Sequence, residues 1–260
     1  MHPRFALPRC NVDTARGRSR DPGMLFKPTL ATALAVLPAA LAAPVVEERQ
    51  APCQAVRVFL ARGSVEPYPG RQSKIVSAVC SGLSSCGYED IQYPATYENY
   101  CSSVSTGIAN GIRQLTAYAA RCPNAKLVLT GYSQGGHVVG DILGGGGGNF
   151  QGCTQATSAG LNPATSPGNK IAAAIRFGDV RQAGAQSYNT GTGAFGNGIW
   201  RREGSQLQSL NRFSSVLRSW CLAGDQVCNT AGTLDPRAHT SYFDVFSTEA
   251  GAWVKTKLRL

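Results

Sequence analysis

The segment VLTGYSQGGHVVGDIL, Val128 to Leu143, opens with aliphatic residues, narrows to Gly131-Tyr132-Ser133-Gln134-Gly135, and resumes an apolar rhythm at helical spacing. A strand that becomes a helix through Gly-x-Ser-x-Gly needs glycine two positions either side of the serine, because side chains there would collide as the two elements close around a strained turn. Such a turn exposes a serine hydroxyl at the carboxyl edge of a sheet. An ordinary tight turn is the alternative, and the rest of the chain must decide between them.

Other apolar, β-branched runs lie at Ala55–Leu60, Ile91–Tyr93, Lys126–Thr130, Ile171–Phe177 and, more weakly, Val216–Trp220. Between them, Ile75, Val76, Val79 and Leu83 form one helical face, and Val104, Ile108, Ile112, Leu115 and Tyr118 form another. Strands alternating with helices imply an α/β fold with a mostly parallel sheet covered on both faces. From Tyr242 onward, Phe246, Ala250, Trp253, Val254 and Leu258 recur at helical intervals and predict a closing helix. The Gly144–Gly148 run reads as a long loop; it lacks the Lys-Ser/Thr of a phosphate-cradling loop, which argues against nucleotide binding. Residues 182–208, rich in Gly, Asn, Ser and Gln, read as loop bordering a substrate cleft.

With 260 residues and 43% hydrophobic content, the chain can bury one full core. Residues 1–50 hold 7 Lys/Arg and 4 Asp/Glu of the formal charge of +10, and the remaining +7 is spread out, with no run of like charge and no basic stripe interleaved with aromatics, so nucleic acid is not an expected partner. From Met24, MLFKPTLATALAVLPAALAAP carries one lysine, an apolar run and small residues suited to signal peptidase, and is too short for a membrane span. Residues 24–43 therefore read as a secretory signal, 1–23 as an upstream extension, 44–50 as a short propeptide ending near Glu48-Arg49, and 51–260 as the mature domain. An organellar targeting segment is the other reading of the N-terminus.

Removing Cys10 leaves eight of nine cysteines, an even set that fits four bridges in an oxidising compartment. Zinc is disfavoured, because no C-x-x-C occurs and no histidine pair lies near Cys221 and Cys228.

A serine hydroxyl needs a base. Of three histidines, His2 lies in the leader and His137 rises along the same helix as Ser133, so His239 is the candidate. The imidazolium needs an oriented carboxylate. Asp141 lies two helical turns beyond Ser133 and points away. Asp179 ends a strand and is the second choice, while Asp235 is close enough to His239 to serve as a cap. Asp225, inside the ring that a Cys221–Cys228 bridge would close, is favoured because a short ring holds its loop in place. For the oxyanion, the Gln134 N–H follows the nucleophile and Ser64 in FLARGSVEP offers a second donor.

FLARGS, GYSQGG, the aspartate of CLAGDQVC, and RAHTSY together, in that order, resemble the fungal cutinase/acetylxylan esterase family over Cys53 to Leu260. The resemblance implies a single-domain three-layer α/β/α sandwich of α/β-hydrolase type with a shallow groove. It implies Ser133, His239 and Asp225 as nucleophile, base and acid, Ser64 and Gln134 as the oxyanion hole, and bridges Cys53–Cys122 and Cys221–Cys228. Cys80, Cys86, Cys101 and Cys153 remain open to three pairings. The expected protein is a secreted monomeric esterase that needs no metal or organic cofactor and acts on plant cell-wall esters, acetylxylan or cutin. A non-catalytic wall-binding protein on the same scaffold is the alternative.

Overall fold

A computed structural model describes residues 52–259; the expected leader, upstream extension and propeptide lie outside the described residues. Six strands form one parallel sheet in the order β2-β1-β3-β6-β8-β7, namely Cys86–Asp90, Val56–Ala61, Lys126–Tyr132, Ile171–Phe177, Leu217–Trp220 and Asn189–Thr190. Successive side chains of a strand point to opposite faces, so each central strand feeds two cores. Phe59, Leu127, Leu129 and Ala174 meet α2, Tyr100–Arg121, α3, Gln134–Gly144, and α4, Gly204–Asn211. Val58, Leu60, Val128, Ile175 and Phe177 meet α1, Ser73–Cys80, α5, Tyr242–Val245, and α6, Ser247–Leu258. That is the three-layer α/β arrangement. Among the described residues no helix is long and apolar enough to cross a membrane.

The second strand is Cys86–Asp90, not the apolar Ile91–Tyr93 that follows it. As an edge strand it is only half-buried, so its CGYED lacks the apolar run of the central strands. Its register on β1 runs from Val56 opposite Cys86 to Leu60 opposite Asp90.

The glycine run is not a loop. Residues Gly146–Phe150 form β4, antiparallel to β5, Cys153–Ser158, in a small separate sheet. Gly147 and Gly148 take φ of +122° and +142°, extended conformations that L side chains rarely adopt, so a strand is built from a composition that resembles a linker. Between 182 and 208 the chain is mostly irregular, interrupted by the short β7 and the start of α4. The closing segment divides at Phe246 into α5 and α6.

Four disulfides pin these layers. Cys53–Cys122 ties the chain ahead of β1 to the loop before β3, and Cys221–Cys228 closes a ring beside β8. Cys80–Cys86 joins α1 to β2, and Cys101–Cys153 joins α2 to β5.

Candidate active site

Ser133 sits between β3 and α3 with φ 54° and ψ −119°, a strained conformation for a residue with a side chain. Two things hold it there. Its N–H donates to Phe177 O at 2.9 Å on the neighbouring strand, and the helix behind it packs so tightly that a Cβ on Gly135 would stand 1.8 Å from Ala61 O. Only glycine permits that approach.

The chain from 221 to 241 delivers the partners. Ser133 Oγ lies 2.9 Å from His239 Nε2, and His239 Nδ1 lies 2.8 Å from Asp225 Oδ2. A carboxylate only accepts, so Nδ1 is the donor and Nε2 is left to accept from the serine. Asp225 is 1% exposed, whereas the His239 side chain is 25% exposed. The carboxylate is therefore fixed inside the protein while the imidazole reaches the surface. Val227 N–H donates to Asp225 Oδ1 at 2.9 Å, and the Tyr242 hydroxyl donates to Oδ2 at 2.6 Å. From β3, the Tyr132 hydroxyl donates to His239 O at 2.7 Å, which fixes the histidine turn.

Ser64 shares this edge. Ala61 pairs with Gly131, so three residues beyond one and two beyond the other bring Ser64 and Ser133 out at adjacent strand ends. The amides beside Ser64 are used internally: Gly63 N–H donates to Glu66 Oε2 at 2.9 Å and Val65 N–H to Ala95 O at 2.7 Å. Arg62 braces the turn by donating from Nε to Glu66 O at 2.6 Å and from Nη2 to Pro94 O at 2.9 Å. Gln134 is the first residue of α3, where a backbone N–H has no intrahelical partner and the helix dipole favours negative charge. Its side chain accepts from Ser103 Oγ at 2.9 Å and donates to Thr96 O at 3.0 Å, locking the start of α3 to α2 and the preceding loop.

The other ionisable residues go elsewhere. Asp179 is buried against Arg176 and accepts from Arg181 N–H at 3.0 Å; its neighbour Gly178 is what faces the Asp225–His239 pair, since a Cβ there would stand 2.9 Å from Asp225 Oδ2 and His239 Cε1. Asp235 Oδ1 accepts from Arg237 N–H at 2.9 Å, a local turn.

His137 is wholly buried on α3, with Nδ1 3.1 Å from the Tyr100 hydroxyl and Nε2 3.2 Å from Asp141 Oδ2. Asp141 in turn meets Arg202, Arg181 at 3.1 Å and Gln155 Nε2 at 2.8 Å. Burial pushes His137 below the usual imidazole range, Asp141 pulling the other way and Arg181 and Arg202 adding to the fall. Burial also opposes ionisation of Asp141, but the Arg202 and Arg181 guanidiniums against it hold its carboxyl well below the usual range. With His137 neutral, the two guanidiniums supply the countercharge.

Sequence reading passed over Tyr242, Gly178 and Tyr132. The spacing His239-x-x-Tyr242, which puts two side chains on one face of a helical turn, was the available signal for the first.

A family model described as Cutinase matches residues 52–258. Acetylxylan esterase 2 of Talaromyces purpureogenus is 33% identical over 222 residues, 82% of this chain and 90% of that protein. Cutinase 11 of Verticillium dahliae is 30% identical over 228 residues, 81% of this chain and 71% of that one. The solved catalytic core domain of an acetyl xylan esterase from Trichoderma reesei matches with a TM-score of 0.69 at 28% identity, covering 79% of this chain and 100% of the other. Since the match runs from ahead of the first strand through the last helix, the chain belongs to the cutinase family and is a carboxylic ester hydrolase.

Proposed function

We propose a secreted serine esterase that cleaves plant cell-wall esters through an acyl-enzyme. The observation that carries this reading is the hydrogen-bonded chain Ser133–His239–Asp225 at 2.9 and 2.8 Å, beginning at a strained elbow. Ser133 Oγ attacks the ester carbonyl as His239 Nε2 takes its proton. The oxyanion accepts hydrogen bonds from the Gln134 and Ser64 amides, a contribution of about 3–4 kcal/mol per donor in comparable sites. His239 returns the proton to the departing alcohol, the ester C–O bond breaks, and the acyl group remains on Ser133. Water, deprotonated by the same imidazole, then attacks the acyl carbon and releases the acid. Throughout, Asp225 orients Nδ1–H and stabilises the transient imidazolium.

Acetyl groups on xylan are the first substrate reading, supported by the acetylxylan esterase relatives from Talaromyces purpureogenus and Hypocrea jecorina. Cutin is the second, supported by the Verticillium relative and by apolar side chains exposed on segments that brace the site, Val65 at 71%, Tyr97 at 50% and Leu234 at 60%. Four disulfides and the apolar leader favour an oxidising, extracellular compartment. The complete triad speaks against a wall-binding protein without activity.

The test is kcat for Ser133→Ala and an acyl-chain profile from acetate to long fatty esters, with acetylated xylan and cutin included. The variant should lose about 10⁴-fold or more in kcat. Loss of less than tenfold in folded protein contradicts the mechanism, and a steep preference for acetate selects xylan deacetylation over cutin.

A further inference from the structure

The Asp225 carboxylate is not held by its histidine alone. Tyr242, buried on the first turn of α5, reaches into the ring closed by Cys221–Cys228. There its hydroxyl oxygen accepts from Leu222 N–H at 3.1 Å and its proton goes to Asp225 Oδ2 at 2.6 Å. The backbone amide occupies the oxygen's acceptor side and the carboxylate is an acceptor only, so the direction of the O–H is settled by its surroundings. Oδ2 is the same oxygen that takes His239 Nδ1–H at 2.8 Å. One carboxylate oxygen thus serves two donors three residues apart, His239 in the 3-10 turn Ala238–Thr240 and Tyr242 at the start of α5.

We infer that Tyr242 is a positioning residue for the proposed triad: its hydroxyl fixes the rotation of the Asp225 carboxylate and draws off part of the negative charge that would otherwise face the His239 imidazolium. This rests on the triad reading above. Burial first, and the neighbouring carboxylate second, raise the phenol well above the usual tyrosine range, so the group stays a donor across the working pH.

Without the hydroxyl, Oδ2 carries more charge toward His239, the imidazolium is stabilised, and the neutral imidazole that accepts the serine proton appears at higher pH. The ionisable groups around the pair are Tyr132 from β3, Asp235 against Gly224, Asp179 beyond Gly178, and Glu66 and Arg71 behind Tyr132. None changes in the variant.

The experiment is the pH profile of kcat/KM for Tyr242→Phe beside wild type, Tyr132→Phe and Ser133→Ala. Tyr242→Phe should lower kcat by about tenfold with KM within about twofold, as for loss of one hydrogen bond to a charged group, and move the acid limb up by about 0.5–1 pH unit. Tyr132→Phe loses a hydroxyl that touches only His239 O, and its acid limb should stay in place. If Tyr242→Phe does not fold, site-specific 3-fluorotyrosine at position 242 keeps the shape with a stronger donor and should move the limb to lower pH. An acid limb that coincides with wild type for the folded replacement overturns the inference; if Ser133→Ala is inactive in the same series, the triad reading survives it. Activity retained by Ser133→Ala overturns both.

Discussion

The His239–Asp225 and His137–Asp141 pairs are made from the same two side chains, one at the mouth of α3 and the other along its length, and their surroundings give them different work. Asp225 is buried but His239 is partly exposed, with one nitrogen on the carboxylate and the other on a serine hydroxyl. That ring meets solvent on one side and the serine hydroxyl on the other. The His137 ring is sealed, packed with Phe150 and Tyr100, and its carboxylate already answers Arg202, Arg181 and Gln155. Taking up a proton there would add a cation to a site that already holds two, without water to disperse it. In the proposed mechanism the first pair moves the proton; the second ties α3 to the 181–202 segment and to β5.

Exchanging carboxylate for amide in each region should separate these roles. Asp225→Asn should cut kcat by about 10⁴-fold with stability little affected, because an amide favours the wrong tautomer of the imidazole. Asp179→Asn, next to the site in sequence but paired with Arg176, should leave kcat of the folded protein within about tenfold. A larger kcat loss at 179 than at 225 reverses the choice of acid.

Next in size is Asp141→Asn. It strands Arg202 and Arg181 beside a neutral amide, and breaking one partner out of a buried ion cluster costs about 3–5 kcal/mol. Urea unfolding should show that loss, and a change below about 1 kcal/mol would mean the cluster is not what holds α3.

The smallest effect is a pH slope. His137 is held neutral in the fold but takes a proton at its ordinary value of 6.5 when unfolded, so the unfolded chain binds more protons below that pH. Its share of stability is full above 6.5 and is lost as pH falls below it. His137→Gln should flatten that part of the curve relative to wild type; an identical slope would show that residue 137 does not titrate on unfolding.

The same contrast explains what could be read from the sequence. Ser133 announces itself through local chemistry, since the strand, the glycines and the helix are contiguous. His239 follows by elimination among three histidines, and Asp225 from its position between two cysteines. The Asp141 cluster was out of reach, because Arg181 and Arg202 lie 40 and 61 residues away along the chain and nothing in their neighbours marks them as buried. The edge strand at Cys86–Asp90 was missed for lack of an apolar run, and β4 because glycines at positive φ look like a linker until β5 pairs with them. Central strands and the long α2 were legible because burial on both sides or along one face imposes a period on the residues.

The claim on which the account depends is that one hydroxyl, at Ser133, becomes the covalent nucleophile. An organophosphate bearing a p-nitrophenyl leaving group reads this directly: the serine oxygen bonds to phosphorus, p-nitrophenolate departs, and peptide mass spectrometry locates the adduct. The account predicts one equivalent of p-nitrophenolate, loss of activity in step with it, and a single adduct on the peptide carrying Ser133, absent in the His239→Ala variant on the same timescale. Full activity after exposure, or inactivation with the adduct on any other residue, would contradict it.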